Sequence, residues 1–214
     1  CWTIAVRRSW TSAVSRRYAA SYVLAVVLVL LLLPLAVMVA LGLLTVDGRP
    51  LLFRSRRVGR DGRIFSMLKF RTMRSDADPY AHSPQDHRDP RITPIGRLLR
   101  LTGADELPQL INVLRGDMSL VGPRPEMPFI VEGYGPLERE RLRVKPGITG
   151  LWQISADRQA EIHENIEYDL HYVSHQSLVL DVLILLETAF FTAGLMLRAL
   201  GGRWANGRAR NATT

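Results

Sequence analysis

Hydrophobic and polar positions divide the chain into a long uncharged run, a stretch of short alternating and helical patterns, and a second apolar run near the end. No charged residue stands between Tyr18 and Val46, and Leu, Val and Ala dominate Tyr22–Met38, the composition of a membrane-buried helix. The run outlasts the apolar core of a cleavable signal peptide and ends at Asp47-Gly48-Arg49-Pro50, so it is expected to be retained. Arg7, Arg8, Arg16 and Arg17 precede it, and Arg49, Arg54, Arg56, Arg57 and Arg60 follow it, which assigns both ends to the cytoplasmic side. Pro34 divides it into about 16 and 12 residues, or roughly 24 and 18 Å, and neither part comfortably crosses about 30 Å of hydrocarbon. Flanks and proline together predict a re-entrant helix over 18–46, kinked at Pro34, in preference to a tilted span.

Beyond Val46 the pattern becomes that of a water-facing domain. Leu51–Val58 and Arg63–Phe70 read as two short strands joined by the turn Gly59-Arg60-Asp61-Gly62. Residues 75–94 read as a mobile loop, and Arg97–Leu101 and Glu106–Leu114 have helical spacing with Thr102-Gly103-Ala104-Asp105 breaking between them. Gly122-Pro123-Arg124-Pro125 is expected to be extended, Leu137–Arg143 a basic helix, Pro146–Gly150 a turn and Glu161–Val173 a helix. In Leu178–Leu200, Asp181, Glu187 and Arg198 oppose burial in lipid, and Glu187 and Arg198 fall at nearly the same helical angle. This segment is read as an amphipathic helix on the membrane surface, a partner of the bilayer. The predicted fold is a helix-rich, membrane-associated α/β domain with a small β element. Its parts are a basic flank (1–17), the re-entrant helix (18–46), a catalytic domain including the interfacial helix (47–200) and a disordered tail (201–214).

Composition narrows the class. With 47% apolar and 22% charged residues, a disordered or collagen-like chain is excluded. The net charge of +8 calls for anionic partners: phosphate groups, acidic lipids or nucleic acid. The cations lie beside the apolar runs and no nucleic-acid reader motif is present, so lipid attraction is the simpler account and no nucleic acid is expected. A lone cysteine, Cys1, forms no internal disulfide, which suits a reducing compartment. The chain lacks an initiating Met, so a longer protein with an upstream membrane domain is left open. His171 and His175 have a spacing compatible with metal ligation but no accompanying acid, and are read as surface histidines.

The densest chemistry is the run from Asp105-Glu106 to Glu126. Adjacent carboxylates on a helix point about 100° apart, so both face one site only where the chain leaves a turn, which the Thr102–Ala104 break supplies. One could then attack phosphorus while the other holds a divalent cation. A purely structural use, with Asp105 capping a helix and Glu106 favouring its dipole, stays open on the pair alone. Lys69, Arg71, Arg100 and Arg124 lie in short ordered segments suited to phosphate, Arg124 between two prolines that reduce the freedom lost on binding. Asp181 in an apolar helix needs a cation, with Lys69 or Arg124 the candidates.

Five ordered blocks, Lys69–Met73, Ile92–Arg100, Asp105–Gln109, Asn112–Pro125 and Pro146–Gln153, resemble the bacterial polyprenyl-phosphate sugar-1-phosphate transferases, the monotopic phosphoglycosyl transferases that begin exopolysaccharide and glycoconjugate assembly. The resemblance implies a UDP-sugar donor and an undecaprenyl phosphate acceptor. It makes Asp105 a nucleophile that forms a phosphosugar-aspartyl intermediate with release of UMP, and Glu106 the holder of Mg²⁺. Arg124 then binds phosphate, and Lys69, Arg100 and Asp181 complete the polar site. It places the active site on the cytoplasmic face of the inner membrane, and leaves a homodimer open. Two positions depart from the family pattern: Leu33 stands where a Ser commonly precedes the bending proline, and Ala156-Asp157 replaces a Gly-Arg pair, with Arg158 one place later. The rival readings are a catalytically silent membrane scaffold for glycan assembly and a lipid phosphatase using water as acceptor. The sugar, the pathway and the polyprenol length are not written in the sequence.

Overall fold

The computed structural model describes residues 2–77, 89–157 and 165–211, with side chains placed over 15–195 of these and at Leu197. Arg158, the N-terminal part of the helix expected from Glu161 and residues 78–88 of the expected loop therefore lie outside the described residues. A long helix α1 (Trp2–Val46) leads into the antiparallel strands β1 (Leu52–Val58) and β2 (Ile64–Phe70). Then come α2 (Pro94–Thr102), α3 (Gln109–Arg115), β3 (Ser119–Val121), the one-turn helices α4 (Pro128–Glu132) and α5 (Pro136–Arg139), and β4 (Gly147–Thr149). Helices α6 (Leu151–Ile154), α7 (Glu167–His175) and α8 (Leu178–Asn211) complete the chain. The domain is α/β and helix-rich, with two small two-stranded sheets among the described residues.

Helix α1 begins well before Tyr18, takes in the basic flank and contains Pro34. Tyr18, Ser21, Ala25, Leu28, Leu32, Ala36, Val39 and Leu43 recur at helical spacing, and these positions meet the rest of the domain. At one end Ser21 Oγ accepts from the Leu120 amide (2.8 Å), and at the other Thr93 Oγ1 donates to Asp47 Oδ2 (2.7 Å) while its own hydroxyl caps α2 at Gly96 N (2.9 Å). Both ends of the apolar segment are thus docked on one body. Its other face exposes Val23, Leu30, Leu31 and Met38, each more than 60% accessible.

The expected turn at Pro146–Gly150 is instead a strand, β4, running parallel to β3. Three-residue strands are too short to show a period, and this pair forms because glycines let the backbones close: a Cβ on Gly147 would sit 2.1 Å from the Gly122 amide nitrogen. The polar face expected of α8 also differs. Its inward side carries Asp181, Ile184 and Thr188, while Val179, Val182, Leu183, Leu186 and Phe190 are exposed around Glu187. The side chain of Arg198 lies outside the described residues, and α8 runs on to Asn211. Both α1 and α8 are long and apolar enough to cross a membrane.

Candidate active site

Helix α2 ends at Gly103, whose φ of 70° turns the chain out of the helix at a conformation glycine adopts without strain. The next three residues form a 3-10 turn, Ala104–Glu106, which carries the two acids. Asp105 makes no capping hydrogen bond among the described residues, and α3 starts from Pro108 with no side-chain cap. Asn112, fully buried on α3, accepts from Leu68 N (3.0 Å) and donates to Ser66 O (2.8 Å), fixing α3 and the turn before it against β2. Lys69 on β2 then reaches Glu106 Oε1 at 2.5 Å, and Arg124 from the proline-flanked coil approaches the same oxygen at 3.4 Å. Arg100, in the last turn of α2, donates through Nε to Thr72 Oγ1 (2.9 Å).

These residues line one cavity of about 550 Å³, whose wall combines Lys69, Arg100, Asp105, Glu106 and Arg124 with apolar Phe53, Phe70 and Met127. Two neighbouring carboxyls are driven in opposite directions. Burial pushes Asp105 above the usual carboxylate range against the pull of Lys69. At Glu106 burial also works upward, but Lys69 and Arg124 override it and hold the group at about 2. One acid is locked as an anion in an ion-pair cluster, and the other is a more basic carboxylate with no ion pair of its own within 4.0 Å among the described residues. Such a pair can divide the roles of nucleophile and ligand.

Of the residues singled out in the sequence, Lys69, Arg100, Asp105, Glu106 and Arg124 converge and Asp181 does not. Asp181 is bound by Arg17, with Nε to Oδ2 at 3.0 Å and Nη2 to Oδ1 at 3.1 Å, and not by Lys69 or Arg124. Tyr172 accepts from Arg17 and donates to Asp181 (2.8 Å), and Gln176 takes a further Arg17 N–H. The reason is tertiary: docking of α1 brings an arginine of the basic flank, 4% exposed, to the first turn of α8. Arg71 lines the cavity, yet its guanidinium is committed to the carbonyls of Asp47, Gly48 and Arg49, anchoring the exit of α1. His171 and His175 stack with centroids 4.3 Å apart on an exposed face.

Sequence reasoning missed two sets of residues. Arg57 on β1 lines the cavity, although its place among flanking arginines marked it only as a topology signal. Behind Arg124, Arg141 donates to the Arg124 carbonyl (2.7 Å) and to the Tyr134 hydroxyl, and stands 2.6 Å from Asp169 Oδ2. That last contact is Coulombic, since no N–H is aligned with Oδ2. No local pattern announces a pair drawn from segments this far apart.

Among the described residues no three His, Cys, Asp or Glu converge, so there is no all-protein metal cage. Mg²⁺ retains water and takes oxygens from substrate phosphates, and needs only one or two carboxylates. Glu106 fits that requirement: Oε1 serves both cations and Oε2 has no hydrogen-bond partner among the described residues.

A cavity with paired acids ringed by cations, in a domain carrying two long apolar helices, has the charge pattern of a site for an anionic ligand beside an apolar surface. Residues 12–194 match the profile of the family described as bacterial sugar transferase. The chain belongs to that family. It is 45% identical over 154 residues to the galactosyl transferase CpsE of Streptococcus agalactiae serotype III, covering 66% of this chain and 34% of that protein. To the exopolysaccharide production protein ExoY of Sinorhizobium fredii it is 40% identical over 159 residues, covering 66% of this chain and 70% of the relative. To the undecaprenyl-phosphate galactose phosphotransferase of Salmonella typhimurium it is 41% identical over 160 residues, covering 68% and 34% respectively. The chain thus spans about a third of the longer relatives and most of ExoY.

Proposed function

We propose that the protein transfers a sugar 1-phosphate from a UDP-sugar to polyprenyl phosphate, the first membrane step of a surface-glycan assembly. An oxygen of Asp105 attacks the β-phosphorus of the donor, the bond from that phosphorus to the bridging oxygen breaks, and UMP leaves with the oxygen. A phosphate oxygen of the acceptor then attacks the same phosphorus, and the bond to Asp105 breaks to restore the carboxylate. Lys69, Arg100 and Arg124 neutralise charge so that an anionic nucleophile can approach an anionic phosphate. Glu106 would hold Mg²⁺ through Oε2, an ion that supplies further neutralisation of the donor diphosphate. The observation that carries this reading is the Asp105-Glu106 turn inside a cavity that gathers Lys69 from β2, Arg100 from α2 and Arg124 from the proline-flanked coil. A panel of UDP-sugars assayed for UMP release with undecaprenyl phosphate tests it. At least one sugar is expected to give acceptor-dependent UMP, abolished in Asp105→Asn, and release from none of them would overturn the proposal.

The exposed apolar faces of α1 and α8 are proposed to meet lipid, with α1 entering the cytoplasmic leaflet of the inner membrane and returning. Docking of Ser21 and Asp47 on one body supports this reading, because a crossing would put those contacts on opposite sides. Cysteines introduced at Ser12 and Ser55 should label from the same side. Labelling from opposite sides would establish a span.

A further inference from the structure

The cations of the cavity are not equally committed. Lys69 is held by Glu106, Arg71 by three carbonyls, Arg74 by Asp76 at 2.9 Å, and Arg100 donates to Thr72. Arg57 is different. Its side chain is 16% exposed and its Nη1 makes a long contact to the Pro125 carbonyl (3.3 Å), while the nearest carboxylate oxygen, on Glu126, is 3.9 Å away. Its Nε is buried without a hydrogen-bond partner among the described residues, as is that of Arg71, but Arg71 has its two terminal nitrogens bound to three carbonyls whereas Arg57 has only the one long contact. An unmade bond at a buried charged donor is costly, and beside a cavity a bound anion is one way to make it.

Beside it stands Arg124, whose one carboxylate contact is the Glu106 oxygen already occupied by Lys69. Burial, then the charge of Arg124, lowers the Arg57 guanidinium to about 10 against the opposing pull of Glu126 and Glu106, so the two cations stand close enough to work against each other. Strand β1 fixes Arg57 in register opposite Phe65, and Arg141 fixes the Arg124 backbone, so neither cation is free to turn away as a surface arginine would. Two preorganised guanidiniums facing a cavity suit a tetrahedral oxyanion bound through several charge-assisted bonds.

We infer that Arg57 and Arg124 form an anion subsite, beside the Lys69–Glu106–Asp105 cluster, that binds a second phosphate of the reaction, one that Asp105 does not attack. The inference rests on the transfer reaction proposed above. That reaction offers two sources for the group: the α-phosphate that leaves in UMP, and the phosphate of the polyprenyl acceptor.

The test compares full-length wild type, Arg57→Gln and Arg57→Lys in detergent, with each half-reaction followed separately. If the subsite holds the donor's α-phosphate, Arg57→Gln raises the KM for UDP-sugar and the inhibition constant of UMP by about 10- to 100-fold, as loss of a bond to a charged group implies, and leaves the acceptor KM unchanged. If it holds the acceptor phosphate, the enzyme–sugar-phosphate adduct forms normally and its discharge requires about 10- to 100-fold more polyprenyl phosphate. In either case Arg57→Lys, keeping charge without the fork, should recover part of the loss. Donor, UMP and acceptor constants all within about twofold of wild type, in a variant that melts like wild type, would overturn the subsite. A fall in kcat alone would also overturn it, leaving Arg57 a positioning residue. Should Arg57→Gln fail to fold, Arg57→Lys carries the same test. The melting shift produced by UMP, which needs no turnover, should shrink in the variants if the subsite holds the donor's α-phosphate and stay as in wild type if it holds the acceptor phosphate. A wild type that forms no adduct would refute the transfer reading, whereas normal binding in an active Arg57 variant refutes the subsite alone.

Discussion

Replacing Asp169 by alanine removes one member of a fully internal ion pair. Arg141 and Asp169 have side chains only 2% exposed, with 2.6 Å between nitrogen and oxygen. Without the carboxylate, the Arg141 guanidinium keeps the Arg124 carbonyl and the Tyr134 hydroxyl as acceptors, and among the described residues only the more distant charge of Glu126 opposes it. Breaking a buried pair from one side costs about 3–5 kcal/mol, far more than the pair contributes when both partners are replaced together. At about 2–4 °C per kcal/mol for a domain of this size, the melting temperature should fall by roughly 6–20 °C. Differential scanning fluorimetry of the detergent-solubilised protein measures this. The pair also supports the coil that presents Arg124, so transfer activity at a temperature where the variant stays folded should drop as well. The double variant Arg141→Met/Asp169→Leu should regain much of the stability without regaining the activity. A loss of less than about 2 °C in Asp169→Ala would refute the reasoning, because it would mean that the guanidinium is adequately solvated or paired in another way.

Lys69→Met removes the charge that opposes burial at Asp105, so the Asp105 pKa rises further and the acid limb of the rate profile moves to higher pH. A limb that stays put or moves to lower pH contradicts this. Glu106, held at about 2 against an ordinary 4.5, contributes its stabilisation above the unfolded value and loses it as pH falls towards 2, so it should not shape the limb near neutrality. Asp181→Ala strands Arg17, 4% exposed, and should free the first turn of α8 from α1; limited proteolysis should then cut near residue 177, and cleavage identical to wild type would deny that the pair couples the helices. Gly147→Ala places a methyl 2.1 Å from the Gly122 amide nitrogen, and should destabilise by about 1–3 kcal/mol or more in the same melting assay. Unchanged melting would mean the two strands are not in close contact.

The hairpin, the break at Gly103 and the extended coil around Arg124 were legible because each is a local device: paired glycines, a left-handed cap, and prolines that forbid helix. The same devices placed five site residues on rigid segments, which is why they converge. Contacts made by packing left no local signal. Asp181 finds Arg17 because one face of α1 lies along the domain, and an apolar run without charges gives no indication of which stripe will be inward. Strands β3 and β4 are three residues each and depend on glycine-to-glycine approach instead of alternation. Arg57 was hidden by neighbours of its own kind, since Arg54 and Arg56 on the same strand are exposed and only its inward register separates it from them.

The central claim is that Asp105 becomes covalently attached to the sugar phosphate, and intact-protein mass spectrometry tests it most directly. Wild type incubated with UDP-sugar and Mg²⁺, without polyprenyl phosphate, should gain the mass of one sugar phosphate, mapped to Asp105 and lost when the acceptor is added. Asp105→Asn should gain nothing while folding normally, since the amide keeps the size of the side chain and removes its charge. Full transferase activity in Asp105→Asn, or turnover by wild type that requires donor and acceptor together with no adduct ever trapped, would contradict the account.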